Sequence, residues 1–162
     1  MSKRAVWLVL ALLLLVPGCG GQAGDGGTET ATVDLAELYA GMEESCGWEE
    51  GYMVDVEGEL LEDYYPGLGE ISTKQLIAKV PLMSSAVNEI VLLQCETAED
   101  AESAAAILQE RADSQAEGGA WYPESMEAWG KAKVFQQGTY AALIASGEFQ
   151  QSLEEQFEQA FS

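Results

Sequence analysis

The side chains in this 162-residue chain with chemistry to offer are three cysteines, several acidic clusters and a set of aromatic pairs, and no histidine accompanies them. Histidine is the usual base near neutral pH, so Ser-His-Asp and Cys-His catalysis are excluded. Cys19 lies three residues beyond an apolar run that ends at Val16. Cys46 and Cys95 leave two readings open: a disulfide, which requires an oxidising compartment and Cα atoms within about 7 Å, or two inert thiols, which the apolar run around Cys95 favours. Two cysteines without histidine make a poor zinc site. Carboxylates cluster at Glu49-Glu50, at Glu57-Glu59-Glu62-Asp63 and at Glu154-Glu155-Glu158. Paired carboxylates serve glycoside hydrolysis or Ca²⁺ binding, but none of these clusters has the spacing of a Ca²⁺ loop. Solvated helix faces are the simpler reading. No catalytic residue, metal ligand or cofactor is assigned.

The aromatics Trp48, Tyr52, Tyr64, Tyr65, Trp121, Tyr122 and Trp129 fit core packing better than a ligand pocket. Two steps nevertheless share a pattern, Tyr64-Tyr65-Pro66 and Trp121-Tyr122-Pro123. Rings that combine apolar area with a hydrogen-bonding tip suit recognition, so Tyr64, Tyr65, Trp121 and Tyr122 form the candidate binding surface.

The N-terminus sets the address. Lys3 and Arg4 precede an apolar run from Ala5 to Val16. About 12 apolar residues reach roughly 18 Å as a helix, short of the ~30 Å hydrocarbon thickness that a permanent span needs. The segment 1–18 therefore reads as a cleaved signal peptide. Val16-Pro17-Gly18-Cys19 resembles the lipobox of bacterial lipoproteins, which implies that Cys19 carries a diacylglycerol thioether. Each buried CH₂ of the attached chains adds ~0.8 kcal/mol of membrane affinity. Residues 19–32 are rich in Gly, Thr and acid, without apolar periodicity. A tether of that kind reaches roughly 20 Å.

Charge narrows the partners. The chain carries 28 acids against 7 bases. Removing a leader that holds two of those bases and none of the acids makes the mature part more negative still. Such a surface repels polyanions, so nucleic acid is excluded as a partner.

Residues 33–162 are expected to form one domain. Asp34 with Glu37 makes a capping box, and Val33 with Leu38 a hydrophobic staple. The helix that follows places Leu35, Leu38, Met42 and Cys46 on one face, with Gly47 as its stop. Trp48 to Gly69 gives only a brief Val54/Val56 alternation and a helical turn near Leu60 to Tyr64. Gln75 to Met83 and Glu89 to Cys95 read as paired strands around a turn at residues 84–88. The second is apolar on both alternating faces, which suits a central strand. Pro81 cannot donate to a ladder, so its strand is expected at an edge or with a bulge. Thr97 with Asp100 caps the longest helix, from Ala98 to about Glu117, with Ala101, Ala105, Leu108 and Ala112 inward and Gly118-Gly119 at its end. Tyr122 to Trp129 reads as irregular. Lys133 to Gln136 and Tyr140 to Ser146 form a hairpin around Gln137-Gly138. Phe149, Leu153, Phe157 and Phe161 mark a C-terminal amphipathic helix docked on the sheet. The fold class is α+β: a small antiparallel sheet of about four strands, packed by a long Ala-rich helix and by N- and C-terminal helices.

This order of features, with its DYYPGL stretch, KVPLMSSAVNEIVLLQC strand pair, WYP step and GTYAALIAS strand, resembles an uncharacterised family of short lipoproteins from Gram-positive anaerobes, the domain of unknown function DUF4358. The likeness spans about Asp34 to Ser146. It implies the α+β class and an envelope address, and an anaerobic source adds weight to free thiols at Cys46 and Cys95. The family carries no activity or catalytic residues to transfer.

The expectation is a non-enzymatic lipoprotein on the extracytoplasmic face of a bacterial membrane. It would be held by the lipid on Cys19 and would bind or support an envelope protein or cell-wall component. The alternative is a small carboxylate-dependent hydrolase or cation-binding protein built on Glu57 to Asp63.

Overall fold

Asn88–Cys95 is buried at every position, and the chain is arranged so that both faces of this run are covered. In this computed structural model, which describes residues 32–83 and 85–162, the run is the middle strand of a five-stranded antiparallel sheet. The expected leader, Cys19 and all but the last residue of the expected tether lie outside the described residues. The elements are α1 (Leu35–Cys46), β1 (Met53–Asp55), α2 (Glu59–Tyr64), β2 (Thr73–Pro81), β3 (Asn88–Cys95), α3 (Ala98–Ser114), α4 (Pro123–Trp129), β4 (Lys133–Gln137), β5 (Tyr140–Ser146) and α5 (Gln150–Ala160). The strand order is β1-β2-β3-β5-β4. The class is α+β as expected, and the strand beyond the expected four is the short β1.

Alternation along the strands divides the core in two. Val91, Leu93 and Cys95 of β3 join Ala141, Leu143 and Ala145 of β5 beneath Ala101, Ala104, Leu108 and Ala112 of α3. Ile90 and Leu92 join Ala142 and Ile144 on the other face, under Leu35 and Met42 of α1 and Leu153 and Phe157 of α5. Burial of each large apolar side chain contributes about 1.5–3 kcal/mol, and the small alanines let α3 lie close to the strands. The inner stripe of α3 contains Ala104, while Ala105 is only partly buried. The C-terminal Phe stripe is docked on the sheet, with Phe157 4.7 Å from Phe135 and 4.8 Å from Phe161 between ring centroids.

Local chemistry fixes the boundaries. Asp34 Oδ1 accepts from the N–H groups of Ala36 and Glu37 at the start of α1, and Gly47 ends that helix at φ 65°. Of two expectations, one is met in its second form and one changes. Pro81 lies in an inner strand, but as its last residue opposite Met53, while the register shift of β2 falls at its other end, between Thr73 and Gln75. A terminal position leaves few ladder bonds for the ring to break. Tyr122 to Trp129, expected to be irregular, holds the helix α4, with Pro123 at its first turn, where the missing N–H has no helical partner to lose.

The sheet has two dissimilar ends. The chain enters at one of them: Val33 N–H donates to Tyr140 Oη at 3.0 Å, and Gln75 Nε2 donates to the Val33 carbonyl at 2.9 Å and to Gln94 Oε1 at 2.8 Å. At the other end lie Pro81, Asn88 and Ser146. Asn88 Nδ2 donates there to Tyr52 Oη at 2.8 Å, and Ser146 Oγ donates to Asn88 Oδ1 at 2.7 Å. Eight residues of extended strand separate the ends by roughly 24 Å.

Candidate functional site

Glu89 is the second residue of β3, before an apolar run, and the strand turns its side chain toward α3. Arg111 answers from that helix: its Nε donates to Glu89 Oε1 at 3.0 Å and its Nη2 to Oε2 at 2.9 Å. Tyr65 Oη donates to the same Oε1 at 2.7 Å. Two parallel donors on one carboxylate fix direction as well as charge. The guanidinium carbon also lies 4.5 Å from the Tyr64 ring centroid and 5.4 Å from that of Trp129. Burial first, then the Glu89 charge, holds the Tyr65 hydroxyl well above the usual tyrosine range. Burial works against the Arg111 charge, but the bonds to Glu89 more than offset it and the net shift is upward. Every buried side-chain nitrogen and oxygen among the described residues has a hydrogen-bond partner. The carboxylate is thus committed to holding α2, α3 and β3 together.

A groove opens one turn beyond this fork. α3 runs into a π turn, Gln115–Gly119, in which the Ala120 N–H donates to the Gln115 carbonyl at 3.1 Å and Gly118 adopts φ 134°. Such turns recur at functional sites. The widened turn throws Trp121 outward, leaving it 92% exposed, with Tyr122 at 59%. Buried Trp129 lies behind them. Ala86 and Val87, from the connection between β2 and β3, supply the opposite wall of a cavity of about 450 Å³. Gly147 N–H donates to the Val87 carbonyl at 2.8 Å and ties that wall to the end of β5. Among the described residues that line it none is charged, and Gln115 and Ser125 supply its polar side chains. The groove therefore lies at the end of the sheet opposite Val33.

The two ring-ring-proline steps do not merge. Tyr65 is fully buried, and Tyr64 lines a separate cavity of about 240 Å³ with Pro66 and Arg111. Trp121 and Tyr122 remain as the exposed half of the expected surface. Cys46 packs against the α1 and α5 side of the sheet, whereas Cys95 lies in the core under α3. The two thiols are unbonded, and a bridge between them would have to pass through the sheet. Burial raises both thiols above the usual range; at Cys46 a Ser45 hydrogen bond offsets part of this, and at Cys95 the Asp100 charge adds to it. The Glu57 to Asp63 carboxylates do not converge: Glu62 accepts from the Gly67 N–H at 3.0 Å while its neighbours face solvent. Among the described residues no group of three or more Cys, Asp or Glu side chains is placed to hold a metal ion, and no helix is long and apolar enough to cross a membrane.

Sequence reasoning missed Glu89 and Arg111 as a pair. The signal was available: each is a lone charge on a face that is otherwise apolar, of opposite sign, at positions the strand and helix bring together. Gln115 and Ser125 carried no such signal, because an exposed amide or hydroxyl is unremarkable until the backbone beside it opens.

Comparison with known proteins yields one relation. A family model described as Domain of unknown function (DUF4358) matches residues 47–146, from the end of α1 to the end of β5. No curated protein and no solved structure matches the chain.

Proposed function

This chain belongs to the DUF4358 family, and on that premise we propose that it is a lipid-anchored extracytoplasmic binding module of a bacterial envelope, with the groove beside Trp121 as its working surface and no catalytic role. The observation that carries the reading is Trp121 itself. An indole 92% exposed covers nothing in its own fold, and exposed aromatic area beside a cavity is what a recognition surface presents. The address rests on the sequence around Cys19, where a short apolar leader ends in Val16-Pro17-Gly18-Cys19, and on the resemblance to short lipoproteins.

Two experiments test the two halves of this proposal separately. Replacing Cys19 by Ala is expected to release the protein from membranes or leave the precursor uncut, as read by fractionation and mass; unchanged processing and retention would sink the anchor. A photoreactive residue at position 121 is expected to crosslink to an envelope component in intact cells, whereas one at Gln137, in the hairpin near the entry end, is not. Equal labelling from both positions would remove the groove from the proposal.

A further inference from the structure

We infer that the groove beside Trp121 takes an uncharged glycan segment, a ligand with pyranose rings and hydroxyl edges but no phosphate or carboxylate; this rests on the groove being the working surface proposed above. A pyranose has two kinds of surface, an apolar C–H face and a rim of hydroxyls. The groove offers a complement to each. Trp121 and Tyr122, both exposed, supply flat apolar rings with an N–H or O–H at one end. Gln115 and Ser125, which line the same cavity, each donate and accept hydrogen bonds, as a hydroxyl edge requires.

The amide of Gln115 lies close against the π turn. A Cβ on residue 119 would stand 2.5 Å from Gln115 Nε2 and 2.8 Å from the Ser114 carbonyl oxygen, so glycine at this position is what lets the amide lie across the π turn. The cavity, about 450 Å³, falls inside the roughly 300–1,000 Å³ range of small-ligand sites.

Charge argues against ionic occupants, and position keeps the groove clear of the tether. With 28 acids against 7 bases the domain repels phosphorylated or carboxylated polymers. A cationic ligand would have to leave water for a lining that holds no carboxylate, a transfer that is unfavourable without a counter-charge. The groove also lies at the end of the sheet opposite Val33, where the chain leading back to Cys19 enters. A domain held through Cys19 therefore leaves the groove unobstructed by its own tether.

The test is titration of the full chain in detergent with chitotetraose, cellotetraose and maltotetraose, three soluble uncharged oligosaccharides, followed by calorimetry and tryptophan emission. The expected result is a saturable response to at least one of them. It should weaken about ten-fold or more in Trp121→Ala, as truncating an aromatic anchor does, persist in Trp121→Phe, and leave the thermal melting of both variants unchanged. Spermidine and phosphatidylglycerol vesicles serve as the cationic and lipid arms. Saturation by either without a response to any oligosaccharide overturns the glycan assignment. So does silence with all three sugars while position 121 still crosslinks in cells, and in that case the groove survives as a surface for another ligand. Silence in every arm together with no crosslink removes both the assignment and the proposal beneath it.

Discussion

Arg111 and Glu89 meet through two bonds, at 3.0 and 2.9 Å, across the gap between α3 and β3, one helical turn before the π turn that carries the groove. The carboxylate is 5% and the guanidinium 18% exposed, so the pair lies where removing one partner strands the other.

Replacing Arg111 by Met should therefore destabilise the domain by about 3 kcal/mol, the lower end for breaking a buried ion pair. Replacing Glu89 by Leu in the same chain should recover only part of that: an apolar pair avoids the desolvation of two charges, but the buried Tyr65 hydroxyl loses its acceptor. Urea unfolding of the single and double variants measures both values. A double variant as unstable as the sum of the singles would show that the two residues are not coupled.

Alkaline pH should find a second weak point. The Tyr65 hydroxyl is held well above the usual range by burial and then by Glu89, and Tyr39 is pushed the same way by burial and then by Glu43. A folded-state pKa raised above the unfolded value of about 10 contributes stability that is fully present below pH ~10 and is lost as pH rises toward the folded value. Stability should fall above pH ~10, and in Tyr65→Phe it should fall less steeply there. The same variant should be less stable at neutral pH, by about 1.5–3 kcal/mol for a hydrogen bond to a charged group. Denaturant melts across that pH range, with tyrosinate absorbance recorded in parallel, read both effects. An unchanged slope would mean that Tyr65 ionises freely in the folded protein.

The thiols should behave as two separate groups. Cys46 is half-buried and Cys95 buried, on opposite faces of the sheet. Under native conditions a thiol-alkylating reagent is expected to label Cys46 slowly and Cys95 only on unfolding. Mass spectrometry of digests without reductant should find both peptides separate, and a linked 46–95 peptide would contradict the placement.

The π turn should be sensitive at both of its glycines. Gly118 adopts φ 134°, where an L side chain is strained by roughly 1–3 kcal/mol, and a Cβ at Gly119 would press on the Gln115 amide and the Ser114 carbonyl. Ala at either position should lower the melting temperature, and at 119 it should also reduce oligosaccharide binding. Gly41, whose Cβ would meet nothing within 4 Å, is the control: Ala there should be neutral or slightly stabilising, as a better helix former.

Much of the fold was legible because local and global signals agree. Asp34, Thr97, Gly47 and Gly138 mark element ends by backbone chemistry that does not depend on tertiary context, and the apolar period of α3, α5 and β3 gives their buried faces directly. β1 was not legible: a three-residue strand has too short an alternation to separate from a loop, and it exists because β2 offers it a partner. α4 was obscured by Pro123, whose place at a first helical turn can only be told from a turn signal once the following residues are seen to coil. Half of the site could be read. Trp121 and Tyr122 announce themselves as rings next to proline, but whether a ring faces solvent or core depends on the path of the backbone, and the same pattern buries Tyr65.

Asn88 and Glu89 also bear on how the chain finds its pairing. A strand apolar on both faces has little in its side chains to forbid a slip by one residue, which would move every residue to the opposite face. Here the first two residues are polar and unlike: Asn88 points to Tyr52 and Ser146 on one side, and Glu89 to Tyr65 and Arg111 on the other. A slip would place the amide before the arginine and carry the carboxylate to the opposite face, away from both Arg111 and the Tyr65 hydroxyl. These two positions act as a key that admits one alignment of the central strand, so substitutions there that keep the chain soluble should show themselves as mispaired, slowly refolding protein before they show as lost binding.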